Sequence, residues 1–319
     1  MESGPQTTPN ETPESRRERF RNHFYRQVRW EDLDPAATAE LIDRAAREDL
    51  EGFGFAEIAN PSGDPTSELF LAAESSATAT LTAREPMTLA GLRMIPAILN
   101  RFDSALRSEN LTQDGQTAEK GTPLARISGP ARSLFSAERT LLNFIQLLSG
   151  VATATRPFST LLENSSTRLL DTRKTHPGYR GLIKYAVAAG GGWNHRLGLY
   201  DRIMLKDNHL GTFRGSIQAA VAEAKEKRPD LPIQVEVDSV SQLPMVLEAE
   251  PDIILLDNFS PAEITEALDL IHGRALTEIS GNVTLDTLPQ LAPLGADFIS
   301  TGATVHQSRW VDIGLDLEE

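Results

Sequence analysis

Six short β-rich runs in the second half of the chain each deliver a residue fit for chemistry. TRLLDTRK ends on Arg173 and Lys174, and DRIMLKDN carries Lys206. IQVEVDS carries Glu236, DIILLDN reaches Asp257, ALTEISG reaches Ser280 and DFISTGA reaches Gly302. Successive ends lie about 20 to 35 residues apart, the length of one strand plus one helix. If these runs fold as parallel strands, their ends face one mouth, where α/β proteins build their sites. A single polar strand end means little; six in register mean a site.

The chemistry at that mouth divides by sign. Arg173, Lys174, His195, Arg196 and Lys206 form a cationic half. Arginine forks suit planar carboxylates and phosphates, and lysine acts as a point charge. Glu236 and Asp257 form an acidic half, suited to Mg²⁺ or to sugar hydroxyls. Glu236 sits between Val235 and Val237, so strand alternation turns it away from both. Asp257 also has the type and place of a cap for the next helix. Ser280, Gly281 and Asn282, with Gly302 and Ala303, are small enough to bring backbone N–H groups to a phosphate. The glycines at 190–192 lack the lysine spacing of a phosphate loop. No Ser-His-Asp order or zinc-hydrolase motif is present, so hydrolase templates have no support.

The elements that must position these residues read as follows. Residues 1 to about 28 are Pro-, Thr-, Glu- and Arg-rich; a flexible tail is expected over residues 1–30, turning helical only around Arg16–Arg26, with residues 1–28 dispensable. Asp34 and Pro35 open a helix, SATATLTAREPMTLAG alternates like a strand, and Ser136 is read as the cap of a long helix. The expected division is a small α/β unit with antiparallel character over residues 31–142 and repeated βα units, forming a parallel sheet or barrel, over 143–304. Residues 305–319 are expected to pack with the first domain. Six strands alone leave a doubly wound open sheet as the rival architecture.

Composition narrows the function. The chain has 319 residues, net charge −14 and no cysteine. Thiolate zinc sites, iron–sulfur clusters and cysteine nucleophiles are excluded. The acidic balance argues against bulk-charge binding of nucleic acid. Between Arg156 and Arg214, however, ten Lys/Arg face four acids, a cationic island that focuses small anions. The N-terminus has no apolar run and carries Glu2, Glu11, Glu14 and Glu18, so a cytoplasmic protein is expected.

The block LLDTRKTHPGYRGLIKYAVAAGGGWNHRLGLYDRIMLKDNHL resembles the signature of the quinolinate phosphoribosyltransferases. SAERTLLNFIQLLSGVAT, VEVDS, IILLDNFSP, EISGNVT and DFISTGA match it in order, from about Ala36 to the C-terminus. The resemblance implies an α/β fold: an N-terminal α/β sandwich and a C-terminal irregular barrel of about seven strands. It implies transfer from 5-phosphoribosyl diphosphate to quinolinate with loss of CO₂, giving nicotinate mononucleotide and diphosphate, with Mg²⁺. It implies that Arg139, Thr172, Arg173, Lys174, His195, Arg196 and Lys206 bind quinolinate. Glu236 and Asp257 would serve ribose hydroxyls and metal, with Lys206, Glu236 and Asp257 the catalytic set. The backbones of Ser280, Gly281, Asn282, Gly302 and Ala303 would hold the 5-phosphate. A homodimer or larger homo-oligomer would share Arg139 between subunits. Trp193, His176, an insertion between Asp49 and Gly63 and the long tail depart from the family pattern. A paralogous transferase for another aromatic acid and a non-catalytic phosphoribosyl-ligand sensor are the alternatives; the complete charged set disfavours both.

Overall fold

The structure is a computed structural model that describes residues 12–57, 63–213 and 215–318. Residues 1–11 of the tail and 58–62 of the insertion lie outside the described residues.

Two compact units divide the chain: Met1–Gln27, Pro157–Thr175 and Gly192–His306 in one, and Val28–Arg156, His176–Gly191 and Gln307–Glu319 in the other. The expected boundary at 142/143 is therefore corrected. One helix, Ala131–Leu161, carries residues of both units, and residues 176–191 leave the barrel segment for the other unit. That helix also begins earlier than expected. The strand Pro123–Pro130 feeds directly into it, and Ser136 bonds back to the Arg132 carbonyl (3.0 Å) instead of capping the start.

In the unit containing Val28–Arg156, an antiparallel sheet has the order Ile313–Leu317, Ser76–Ala83, Pro123–Pro130, Arg107–Asn110. The C-terminal strand pairs Leu315 with Leu81, so the end of the chain belongs to this sheet. The alternating burial of Ser76–Ala83 is the alternation visible in SATATLTA.

The other unit holds the parallel sheet. Its order is Arg168–Leu170, Phe298–Ser300, Leu276–Ser280, Ile253–Asp257, Ile233–Val237, Ile203–Leu205. Trp193 adds a parallel bridge to Leu170, so its backbone extends the sheet beside Arg168–Leu170. This is the irregular β/α barrel. Val235, Val237, Ile254, Leu256, Ile279 and Ile299 pack under the surrounding helices.

The same unit includes residues expected to be a loose tail, and that expectation is corrected for residues 12–27. Thr12 caps a helix, Pro13–Phe24, by accepting from Ser15 N (3.2 Å). Phe20 and Phe24, one turn apart, are fully buried against Leu170, Ile253 and Phe298. One turn earlier, Arg16 donates to the Asp252 carboxylate (2.9 Å) and to the Leu231 carbonyl (2.8 Å). Asp252, Ile253, Leu276 and Phe298 all lie at strand starts, so the helix closes the edge opposite the strand ends. Burying each phenylalanine contributes about 1.5–3 kcal/mol. Two apolar residues among arginines make a weak sequence signal, which is why composition points to disorder.

Candidate active site

Parallel pairing puts the C-terminal strand ends on one edge. Ser280 stands opposite Asp257, and Glu236 sits beside Leu255, two residues before Asp257. Past the end of Arg168–Leu170 come Thr172, Arg173 and Lys174; the Thr172 hydroxyl accepts from Lys174 N (3.0 Å) and tightens that turn. Lys206 follows Ile203–Leu205, and its ammonium contacts the Glu236 carboxylate of the next strand. Glu236 and Asp257 both line a cavity of about 120 Å³, with Gln242, Met245 and Asp238.

The two small-residue turns are fixed by sterics. Gly281 has φ +92°, and a Cβ there would sit 2.1 Å from Asn258 Oδ1. Asn258 and Asn282 are themselves left-handed, at φ 60° and 50°, and the Asn282 amide donates to Asn258 Oδ1 (3.1 Å). A Cβ on Gly302 would crowd Lys174 Cδ at 3.0 Å and His306 at 2.8 Å. Ala303 follows, opening the short helix Ala303–His306.

His195 and Arg196 come from an irregular loop, not from a strand end. Asp171, buried just past Arg168–Leu170, accepts from His195 N (2.8 Å) and from the Asn194 side-chain amide (2.9 Å), docking the loop beside Arg173. Burial lowers the Arg196 pKa, and the neighbouring Arg173 charge lowers it further. Among the described residues, no carboxylate lies within ion-pair distance of Arg173, Lys174 or Arg196. Such a cluster is repulsive by itself and has a use only when an anion enters.

Beneath the mouth lies a polar network not singled out in the sequence. Gln234 donates to the Glu278 carboxylate (2.8 Å), and His195 Nε2 lies 3.2 Å from the same oxygen. Arg202 donates to Gln234 Oε1 (3.1 Å), with His195 Nε2 3.3 Å away. Burial raises the Glu278 pKa, but His195 and Arg202 outweigh it and hold Glu278 ionised, well below the usual carboxylate range. Burial also draws Arg202 down to about 10, which leaves it charged at neutral pH. The alternation that marks Glu236 also marks Gln234, two residues earlier on the same face, and Glu278 between Thr277 and Ile279.

Of the expected residues, Thr172, Arg173, Lys174, His195, Arg196, Lys206, Glu236, Asp257, Ser280, Gly281, Asn282, Gly302 and Ala303 all fall in the barrel unit. Arg139 is exposed on the long helix, in the other unit. Among the described residues no group of three His, Cys, Asp or Glu side chains is arranged to hold a metal. The Glu236–Asp257 pair fits a cation that brings further ligands on its substrate, as Mg²⁺ does with diphosphates.

An α/β barrel with unpaired cations, two carboxylates and backbone turns along one edge defines an enzyme for small anionic substrates. Residues 64–149 match the family model for the quinolinate phosphoribosyl transferase N-terminal domain, and residues 151–316 match that for the C-terminal domain. The chain belongs to the quinolinate phosphoribosyl transferase family. It is 37% identical over 291 residues to the nicotinate-nucleotide pyrophosphorylase (carboxylating) of Mycobacterium leprae, covering 90% of this chain and 99% of that protein. It is 37% identical to the chloroplastic nicotinate-nucleotide pyrophosphorylase (carboxylating) of Arabidopsis thaliana, over 82% of this chain and 80% of that one. The solved nicotinate-nucleotide pyrophosphorylase of Francisella tularensis superposes with a TM-score of 0.83 at 35% identity, covering 92% of this chain and all of that one.

Proposed function

We propose that this chain transfers the phosphoribosyl group of 5-phosphoribosyl diphosphate to quinolinate, releasing CO₂ and diphosphate and giving nicotinate mononucleotide for de novo NAD biosynthesis. The observation that carries this reading is the set of unpaired cations, Arg173, Lys174 and Arg196, on the same edge as Glu236 and Asp257. Quinolinate brings two carboxylates and the diphosphate brings more negative charge, which is what such a cluster needs.

In this reading Arg173, Lys174, His195, Arg196 and Lys206 hold the quinolinate carboxylates and aim the ring nitrogen at the anomeric carbon. Thr172 shapes the turn that carries Arg173 and Lys174. The turns at Ser280–Asn282 and Gly302–Ala303 offer N–H groups to the 5-phosphate. Glu236 and Asp257 hold the ribose hydroxyls. Their charge also tolerates the cationic sugar that forms as the bond from the anomeric carbon to diphosphate breaks. Glu236 and Asp257 would be the protein ligands of a Mg²⁺ ion, which would supply charge neutralisation for the leaving diphosphate. Attack by the ring nitrogen leaves a pyridinium. Loss of CO₂ from the adjacent carbon puts a carbanion beside that positive nitrogen, and the carbanion then takes a proton. No general base is required, and positioning of two anionic substrates supplies most of the acceleration.

We further read the protein as a cytoplasmic homo-oligomer with a two-fold axis, in which exposed Arg139 completes a neighbouring subunit's site. No helix among the described residues is long and apolar enough to cross a membrane. The test is to supply quinolinate, 5-phosphoribosyl diphosphate and Mg²⁺ and to measure nicotinate mononucleotide and CO₂. Equimolar appearance of both is expected. No product, or faster turnover of a monocarboxylic acceptor, would overturn the reading.

A further inference from the structure

The loop Gly192–Arg202 carries His195 and Arg196 yet has almost no regular structure of its own. Both of its ends are gripped by the residues that follow the N-terminal helix. At the near end, Gln27 Nε2 donates to the Gly192 carbonyl (2.9 Å), and the Arg26 carbonyl accepts from Asn194 N (2.8 Å). The Tyr25 ring meets Trp193 edge-on, with centroids 6.0 Å apart. At the far end, the Arg26 guanidinium donates to the Asp201 carboxylate (2.6 Å). That carboxylate in turn accepts from Leu197 N (2.8 Å) and Gly198 N (3.1 Å). The Arg202 guanidinium lies 4.9 Å from the centre of the Phe24 ring and continues to His195.

Each hold has a distinct purpose. Arg26 reaches both ends, through its carbonyl at Asn194 and its side chain at Asp201. Trp193, Asn194 and His195 are also anchored to Asp171, the first by accepting from its backbone N (3.0 Å) and the other two by donating to its carboxylate. Residues 195–198 are thus strung between two fixed points. Loss of the Arg26 guanidinium loosens the far end, where Asp201 holds Leu197 and Gly198, and lets Arg196, half-buried beside the Arg173 charge, shift away from it.

We propose that Arg26, seated by the helix Pro13–Phe24, is a positioning residue for the reaction. By clamping the loop Gly192–Arg202 it holds His195 and Arg196 ready for the acceptor's carboxylates. The inference rests on the reading that these two residues bind quinolinate. It gives the N-terminal segment a role in the site, and it gives Trp193 the role of a docking surface for Tyr25.

The test compares Arg26→Ala, Arg26→Lys, Gln27→Ala and Arg196→Ala with the unaltered full-length enzyme, measuring kcat and both KM values with folding followed by thermal melting. Misplacement of a binding group by about 1 Å costs on the order of 100-fold. Arg26→Ala is therefore expected to lower kcat/KM for quinolinate about 10- to 100-fold, while KM for 5-phosphoribosyl diphosphate stays within about twofold. Arg26→Lys, which keeps a charge for Asp201, should recover most of the loss, and Gln27→Ala should show a smaller loss of the same kind. Equal weakening of both substrates, a loss that follows the melting temperature alone, or no loss in Arg26→Ala while Arg196→Ala is crippled would overturn the proposal. If Arg26→Ala does not fold, Arg26→Lys and Gln27→Ala carry the test: quinolinate constants unchanged in both would overturn it. If Arg196→Ala itself leaves quinolinate binding untouched, the underlying site reading fails, and the proposal with it.

Discussion

Charge without a partner, at Arg173, Lys174 and Arg196 among the described residues, is the feature that separates the proposed acceptor end of this site from an ordinary polar surface. Arg173 and Arg196 repel each other in the free protein. Loss of one charge-assisted contact to a bound carboxylate costs about 1.5–3 kcal/mol. Arg173→Ala is thus expected to weaken quinolinate about 10- to 150-fold by calorimetry and to leave 5-phosphoribosyl diphosphate nearly unchanged. Equal weakening of both ligands would count against the assignment. At the acidic end, Glu236→Gln and Asp257→Asn are nearly isosteric and each removes one charge. Both should slow turnover with little change in melting temperature, and activity should require a divalent cation; full activity after EDTA treatment would remove the metal from the mechanism. Gly281→Ala is a third kind of change. Its Cβ would clash with the Asn258 amide in a left-handed turn, so binding of 5-phosphoribosyl diphosphate should suffer first.

At the scale of elements, the N-terminal helix depends on a buried ion pair. Asp252 is buried, which raises its pKa, and Arg16 opposes that shift. A carboxyl whose folded pKa is raised contributes stability that is complete below its unfolded pKa, near 3.9, and is lost as pH rises through the folded value. Removing Arg16 moves the folded value higher still. Arg16→Ala should therefore cost about 3–5 kcal/mol near neutral pH, the cost of an unpaired buried charge. The cost should shrink as pH falls and Asp252 takes up a proton. Urea unfolding at two pH values measures this; a cost that does not change with pH would mean the pair is not ionic. Phe24→Ala should cost about 3–5 kcal/mol from cavity formation under the same helix. The dispensable tail expected from composition therefore cannot extend through residue 27.

At the scale of the whole molecule, the proposed sharing of Arg139 is a statement about assembly. Arg139→Ala and Lys206→Ala enzymes should each be nearly inactive. Co-expressed, they form mixed dimers in which one site carries both changes and the other neither. Random pairing makes half the dimers mixed, so activity should recover to about a quarter of the unaltered enzyme's. A mixture shown to contain heterodimers but lacking recovery would put Arg139 in its own subunit's site or in none.

The parallel strands, their polar ends and the signs of charge there are legible in the amino-acid sequence. These follow from local patterning: β-branched runs at the spacing of one strand and helix, and residue types that keep their chemistry wherever they sit. Glu236 was legible because two valines flank it, and the turn residues because their small side chains let backbone N–H groups approach a phosphate. The features that had to await the fold are long-range. Two phenylalanines among arginines mean a buried helix once Leu170, Ile253 and Phe298 present a face for them. Arg26 matters because the fold brings it to Asp201, 175 residues away. Glu278 and Gln234 meet because two strands far apart in sequence turn the same face inward, and Arg202 joins them from the end of the loop Gly192–Arg202. Such partners leave no local trace, since contact between distant segments is set by packing and not by the spacing of neighbours.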